Sequence, residues 1–281
     1  KDLKSLRWEG RFCLPGTDGL ILGGIFLGIL SGILSCAPIA PQATTLSESV
    51  PSRSQDPGEL VRSLAQRVHQ FRSLRTLAKV YYWGPHGGGG FQEVILVHRP
   101  DRLRLETLSP LGATLIVTVD ADEVVGFHPR EGLFYRGRSS KGNLLRYTQI
   151  PLEVGEVTNL LMGLPPVEIQ GRWEREGNSI HRDMGGGERE VVAFHPTLGI
   201  PTEWERYGPD GEIDFSALFS DFFSTPAGLF PLKISLEAHA QQKSLEISYQ
   251  EPEVNVALPF ALFVQEKPEN AREILLESLG G

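Results

Sequence analysis

Alternation of apolar and polar residues is the feature that most constrains how this chain can fold. It starts near Leu77 and recurs in one short segment after another. The segments of the first half are Phe91–His98, Asp101–Leu108, Ala113–Asp120, Glu123–His128 and Leu133–Arg138. Short turns separate them, with no room for a crossover helix between one segment and the next. The pattern therefore predicts an antiparallel meander with one apolar face.

The same alternation returns in the second half of the chain. The segments are Glu168–Arg175, Ser179–Met184, Arg189–His195, Pro201–Tyr207, Glu212–Phe222, Lys233–His239 and the run around Leu245, Ile247 and Tyr249. A sheet with this many strands curls, because twisted strands do not stay flat over such a width. We expect a mainly β protein with helices (α+β), in which a curled antiparallel sheet forms a half-open barrel.

Helical periodicity interrupts the strands at a few places. A first helix is predicted from Asp56, which provides an N-cap ahead of Pro57. A second lies between Pro151 and Pro166, and Glu269–Leu279 predicts a short terminal helix. We expect the first two helices to act as lids over the hollow of the sheet, with an apolar cleft beneath them.

The N-terminus has the pattern of an export signal. Basic residues precede Leu20–Leu34, 15 residues without a charge, which is shorter than the ~20 residues of a spanning helix. The run ends in Ile33-Leu34-Ser35-Cys36, which resembles a bacterial lipobox. In such signals the cysteine receives a diacylglycerol group and the chain is cut before it. An uncleaved transmembrane anchor with an incidental cysteine is the alternative.

This interpretation divides the chain into three parts. Residues 1–35 are the predicted signal peptide, residues 36–55 a flexible tether rich in Pro, Ser and Thr, and residues 56–281 the folded domain. Ala37 rather than Asp follows the cysteine, which in the enteric sorting rule favours the outer membrane, with the domain facing the periplasm.

Composition and motifs exclude several classes of function. The net charge of −8, without a basic block, disfavours nucleic-acid binding. Two cysteines, Cys13 and Cys36, provide neither a disulfide framework nor a four-cysteine zinc site. The chain has no paired-histidine zinc-protease motif and no nucleophile elbow. We therefore expect no enzyme, no metal and no cofactor apart from the acyl group on Cys36.

Two further patterns predict structural roles. The glycine run His86–Gly90 is typical of a hairpin loop rather than a phosphate-binding loop. Arg102, Arg104 and Glu106 alternate along one strand and predict a solvated face.

Three short motifs resemble the LolA/LolB superfamily of lipoprotein carriers, and most closely its LolB branch of outer-membrane receptors. In Asp101–Asp120 a strand ends in the triplet Pro110-Leu111-Gly112 and a second strand follows. Further on, Ile150-Pro151-Leu152 precedes a helix that ends in Leu160-Leu161-Met162-Gly163-Leu164-Pro165. The order and spacing agree with LolB over roughly residues 77–166, although the tether, the glycine run and the C-terminal region differ.

The resemblance implies a hollow that holds the acyl chains of a lipoprotein, handed over by a soluble LolA-like carrier, without covalent chemistry. Leu111 matches an exposed leucine that LolB uses to insert lipoproteins into the membrane; a buried loop anchor is the alternative. Apolar strand and lid positions provide the cavity candidates Leu103, Leu105, Leu115, Val117, Ile234, Leu236, Val157, Leu160 and Leu161. We expect a monomer. A scaffold or other lipid-binding lipoprotein without transfer activity is the alternative function, and an envelope hydrolase a weaker third.

Overall fold

The computed structural model of the protein describes residues 56–279. The predicted signal peptide, the predicted lipidation site Cys36 and the predicted tether lie outside these residues. The described part contains the α-helices α1 (Pro57–Gln70), α2 (Lys141–Thr148) and α3 (Val154–Leu161). Helix α1 begins as predicted, with the Asp56 carboxylate accepting a hydrogen bond from the backbone N–H of Gly58 at 3.0 Å. Helix α2 has no counterpart among the predicted helices.

The strands of the described part form one curled, unclosed sheet. They are β1 (Ser73–Gly84), β2 (Gly87–His98), β3 (Arg102–Ser109), β4 (Gly112–Val119), β5 (Glu123–His128), β6 (Leu133–Arg138), β7 (Glu174–Glu176), β8 (Ser179–Gly185), β9 (Glu188–Phe194), β10 (Pro201–Tyr207), β11 (Ile213–Thr225), β12 (Gly228–Ala238), β13 (Lys243–Val254) and β14 (Arg272–Leu275). Their order is β14-β6-β5-β4-β3-β2-β1-β13-β12-β11-β10-β9-β8-β7. All pairs are antiparallel except β14–β6, so the predicted fold class is confirmed.

One face of the sheet, here called the inner face, packs against the helices. On β1 it carries Leu74, Ala78 and Val80, which are almost fully buried, while Lys79 between them is exposed. The helices add Leu144 and Leu160 to the same apolar cluster. Period-two alternation thus separates a buried face from an opposite, outer face on each long strand.

The glycine run is the first departure from the predictions. Gly87–Gly90 does not form the hairpin loop but begins β2, and the turn shrinks to Pro85 and His86. Gly88, Gly89 and Gly90 pair with Trp83, Tyr82 and Tyr81 of β1. The prediction of a loop was wrong because these glycines pair with β1 as a strand. Glycine is needed there because the aromatic rings of β1 occupy the space that larger side chains on β2 would need.

The C-terminal region is the second departure. The terminal helix predicted for Glu269–Leu279 is wrong: β14 pairs in parallel with β6 and a 3₁₀ turn, Leu276–Leu279, follows. Before it, residues 255–271, here called the C-terminal strap, cross the outer face of β3 to β5. Gln265 donates hydrogen bonds from Nε2 to the carbonyl of Ile116 at 3.3 Å and to Thr118 Oγ1 at 3.1 Å.

The strap also corrects the prediction of a solvated face on β3. Arg104 donates to the carbonyl of Leu262 at 2.9 Å and to Glu106 at 2.6 Å, and Arg102 stacks over the ring of Phe260. The predicted strand Glu168–Arg175 shortens to β7 because Trp173 turns into the core, donating to the carbonyl of Ile169 at 3.3 Å.

Candidate functional site

The structure brings the nine predicted cavity residues together on or against the inner face. Leu103, Leu105, Val117, Leu160, Leu161, Ile234 and Leu236 are buried, and Leu115 and Val157 are partly buried against them. Side chains of the helices pack directly on those of the strands in one cluster. The sequence predicts an open cleft here, whereas the structure shows these residues as a packed apolar core closed by α3.

Polar contacts connect α3 to the sheet near the C-terminal half of the helix. Thr158 Oγ1 donates to the carbonyl of Pro100 at 2.5 Å, and Arg99 Nε donates to Asn159 Oδ1 at 2.7 Å. Tyr249 Oη, on the inner face of β13, donates to the carbonyl of Leu161 at 2.8 Å, and desolvation by burial raises the pKa of the phenol. Each of these side-chain hydrogen bonds contributes roughly 0.5–1.5 kcal/mol to holding α3 on the sheet.

A charged cluster of two arginines and two glutamates connects the N-terminal half of α3 to β8, β9 and β10. Arg206 Nη2 lies 2.5 Å from Glu156 of α3 and 3.4 Å from Glu190. Glu190 also accepts from Arg182 at 3.0 Å and is only 1% exposed. The charges balance within the cluster, which is what allows ionised groups to remain inside a protein.

Glu93 is a carboxylate on the otherwise apolar inner face. It lies between Ala78 and Thr107 on the neighbouring strands, in phase with Phe91 and Ile95 of its own strand. Thr107 Oγ1 donates to it at 3.2 Å. Desolvation raises the pKa of Glu93 to about 7, and the Thr107 hydrogen bond lowers it by less.

Replacing Glu93 by glutamine is expected to remove a pH-dependent loss of stability. The pKa of Glu93 is raised in the folded protein, so its contribution is complete below pH ~4.5 and is lost as the pH rises through about 7. Glu93→Gln should therefore match the wild type at pH 4.5 and exceed it above pH 7 by roughly 1–3 kcal/mol, allowing for partial exposure. Urea unfolding at pH 4.5 and pH 8 measures this difference.

The exposed Glu188 on β9 provides a control for this experiment. Because Glu188 lies on the surface, Glu188→Gln should change the free energy of unfolding by less than ~0.5 kcal/mol. Equal stabilities of Glu93→Gln and the wild type at pH 8 would contradict a raised pKa of Glu93 in the folded protein.

The loop between β3 and β4 exposes its apolar tip. Leu111 is 86% exposed, which agrees with the expected exposed leucine and not with the alternative of a buried loop anchor. Ser109 stabilises the turn, since its Oγ accepts from the N–H of Leu111 at 3.3 Å and donates to the carbonyl of Gly112 at 2.9 Å. Gly112 has φ +106°, a conformation that favours glycine. Arg130 donates to the same Ser109 Oγ at 3.0 Å and so places a cation beside the tip.

A separate cavity lies at the opposite end of the sheet, where α1 meets β1. Its volume is about 720 Å³, and its lining mixes the polar residues His69, Arg72, His98 and Asn255 with apolar ones such as Leu258. Polar groups of this kind do not suit an acyl chain. Within residues 56–279 no helix is long and apolar enough to cross a membrane, and no group of three or more acidic, histidine or cysteine side chains is arranged to hold a metal ion.

Sequence reasoning missed Glu93 and the charged cluster, although a signal for both is present. Glu93 occupies the apolar phase of its strand, and Glu190 is in phase with the buried Val192 and Phe194. A carboxylate among the buried residues of a strand must either pair with a cation or hydrogen-bond donor in the folded protein, or be protonated.

Comparison with solved structures identifies the fold. The chain matches a domain from Vibrio parahaemolyticus described as an outer-membrane lipoprotein-sorting protein, with 11% identity and a TM-score of 0.52, over 74% of this chain and 97% of that one. A DUF1329 family protein from Desulfovibrio piger has 14% identity and a TM-score of 0.55, over 75% and 98%. A LolA superfamily protein from Nitrosomonas europaea has 13% identity and a TM-score of 0.50, over 73% and 97%.

These similarities define the class of fold. Residues 56–279 have the LolA-like fold, a curled, unclosed sheet that carries helices on one face. At identities of 11–14% the similarity establishes architecture and not activity. No family model and no curated protein matches the sequence.

Proposed function

We propose that this protein is a lipid-anchored component of a bacterial envelope that binds the acyl chains of lipoproteins and helps to insert them into the outer membrane. The observation that carries the proposal is the large apolar cluster between α3 and the inner face of a LolA-like sheet. The lipobox-like segment ending in Cys36 and the Pro110-Leu111-Gly112 triplet, which resembles that of LolB, add to it. No covalent chemistry is involved.

Entry of an acyl chain requires α3 to move away from the inner face. Burial of each CH₂ group of an acyl chain is favourable by ~0.8 kcal/mol. An acyl chain bound on the inner face can therefore compensate for the side-chain contacts that α3 loses when it moves. The contacts of Glu156, Thr158 and Asn159 then set the free energy of opening. The binding site of another carrier and the interior of a bilayer are comparably apolar. Transfer of an acyl chain from one of these environments to another therefore needs little net free energy.

Acyl-chain uptake tests the proposal directly. The chain from Ala37 onward, which lacks Cys36, is titrated with a fluorescent fatty acid, and lipid extracted from the purified protein is analysed by mass spectrometry. Glu156→Gln removes the ion pair with Arg206 and should increase apparent affinity several-fold, because the open state becomes more populated. Glu188→Gln, exposed on β9, should leave the affinity unchanged. No uptake and no extracted lipid would overturn the proposal.

Membrane insertion is tested separately, in cells. Leu111→Glu should leave fatty-acid uptake intact and cause lipoproteins to accumulate before insertion, since a charge cannot enter the apolar part of the bilayer. Leu198→Glu is a matched control, because Leu198 is 53% exposed on the β9–β10 turn at the other end of the sheet. Unchanged lipoprotein localisation in the Leu111→Glu strain would contradict the insertion role of this loop.

A scaffold lipoprotein is the second candidate, and the dense packing of the inner face favours it. Leu103, Leu160 and Ile234 are at most 1% exposed, as in a permanent core. A scaffold of this kind would take up no fatty acid even in the Glu156→Gln variant, so the same titration distinguishes the two functions.

A further inference from the structure

The tip of the β1–β2 hairpin carries an exposed aromatic pair on the outer face. Tyr81 is 44% exposed and Trp83 is 49% exposed. Their rings are stacked, with centroids 6.1 Å apart and an angle of 23° between the planes. We call these two side chains the aromatic platform.

Glycines opposite the pair make the platform possible. A Cβ added to Gly90 would lie 2.6 Å from the Tyr81 ring, and one added to Gly88 would lie 2.8 Å from the Trp83 ring. The rings therefore lie flat across β2, in space that only glycine leaves free. This accounts for the glycine run at positions where the outer face would otherwise carry side chains.

The platform and the Leu111 tip lie at the same height along the sheet. Gln92 of β2 pairs with Leu108 of β3, so continuing this register puts the turn at Pro110 and Leu111 level with Gly90 and Gly89. Those glycines pair with Tyr81 and Tyr82. Since adjacent strands are ~4.8 Å apart, β1 and β3 are separated by roughly 10 Å at this level.

The turns next to the two apolar tips are poor in acidic residues. The β1–β2 turn contributes His86, the β5–β6 turn Arg130 and Glu131, and Lys243 follows the β12–β13 turn. Further along the same end, the β10–β11 turn is acidic and carries Asp210 and Glu212. The turns beside the two apolar tips thus have a slight positive balance, which Lys243 provides, in a chain whose net charge is −8.

We propose that the aromatic platform is a membrane contact that acts together with Leu111, and that its partner is the interface of a bilayer containing anionic phospholipids. Tryptophan and tyrosine favour this region, where an apolar ring and a polar N–H or O–H are both satisfied. Arg130 and Lys243 then face the phosphate groups. The inference rests on the proposed function, since it assigns the end of the sheet that approaches the membrane. Residues 36–55 can extend up to ~70 Å and so allow this orientation.

Trp83 is itself a suitable probe. The chain from Ala37 onward contains Trp83, Trp173 and Trp204, and the last two are only 7% and 1% exposed. On addition of vesicles of phosphatidylcholine with phosphatidylglycerol, its emission should shift to the blue and be quenched by brominated phospholipids. Phosphatidylcholine vesicles alone should give a weaker response.

A variant provides the second arm of the test. Vesicle flotation of Tyr81→Ala/Trp83→Ala should show binding reduced about tenfold, while the same chain with Leu198→Ala binds as the wild type. Circular dichroism checks that the variant is folded. Unchanged Trp83 emission with both kinds of vesicle would overturn the inference, even if Leu111→Glu still blocks insertion. If the chain takes up no fatty acid but brominated phospholipid still quenches Trp83, the carrier function is overturned and the membrane contact stands.

Discussion

Glu190→Gln is expected to lower the free energy of unfolding by about 3 kcal/mol, because it removes the most buried carboxylate of the charged cluster. Glu190 is 1% exposed and contacts both Arg182 and Arg206. Without it, two largely buried guanidinium groups share the partly buried Glu156 and the exposed Glu168. The uncompensated cation, rather than the lost hydrogen bonds, provides most of the effect. Chemical denaturation at pH 7 measures it.

The same strand offers a matched control for Glu190. Glu188→Gln changes the same side chain two residues earlier, at an exposed position, and should change stability by less than ~0.5 kcal/mol. A loss of less than 1 kcal/mol for Glu190→Gln would contradict the view that the cluster depends on charge balance.

Leu160→Ala is expected to lower the free energy of unfolding by ~2–5 kcal/mol. Leu160 is 1% exposed and connects α3 to the apolar cluster, so truncation removes buried methyl groups and leaves a cavity. Under the carrier proposal, the variant should also bind the fluorescent fatty acid more tightly, because α3 gives up fewer contacts on opening.

Leu111→Ala is the control for this prediction. It makes the same truncation at a side chain that is 86% exposed, and should leave stability within ~0.5 kcal/mol of the wild type. Equal stability losses at the two positions would show that α3 is not part of the cooperative core.

Local rules predicted the elements whose signals lie within a few residues. Asp56 caps α1 as expected, and β10 spans Pro201–Tyr207 as the alternation predicts. Helix α3 falls within the segment between its flanking prolines. In each case the capping residue, the period or the breaker acts on its own segment, so no knowledge of distant residues is needed.

The errors occur where a distant partner decides the conformation. Gly87–Gly90 has a local signal for a loop, but pairing with the aromatic residues of β1 makes it a strand. The C-terminal segment becomes a strand because β6 offers it a free edge. A short sequence window contains neither partner, and pairing energy from the sheet exceeds the local preference.

The candidate site was predictable as a set of positions but not as a geometry. Alternation identifies Leu103, Leu105 and Val117 as neighbours on one face, and the structure shows them there. Alternation does not say whether the space above that face is open, and the structure fills it with α3. It also does not reveal that Glu156 meets Arg206, 50 residues further along the chain.

The sequence by itself determined that this chain forms a curled, one-sided sheet with a helix near its start and another in its middle, since period-two and period-3.6 patterns are local consequences of backbone geometry. Only the tertiary structure decided that Leu111 and Trp83 are exposed at one end, that α3 closes the apolar face, and that Glu93 and Glu190 are drawn inside. The physical reason is that a period assigns residues to two faces, whereas burial depends on which distant segment covers each face.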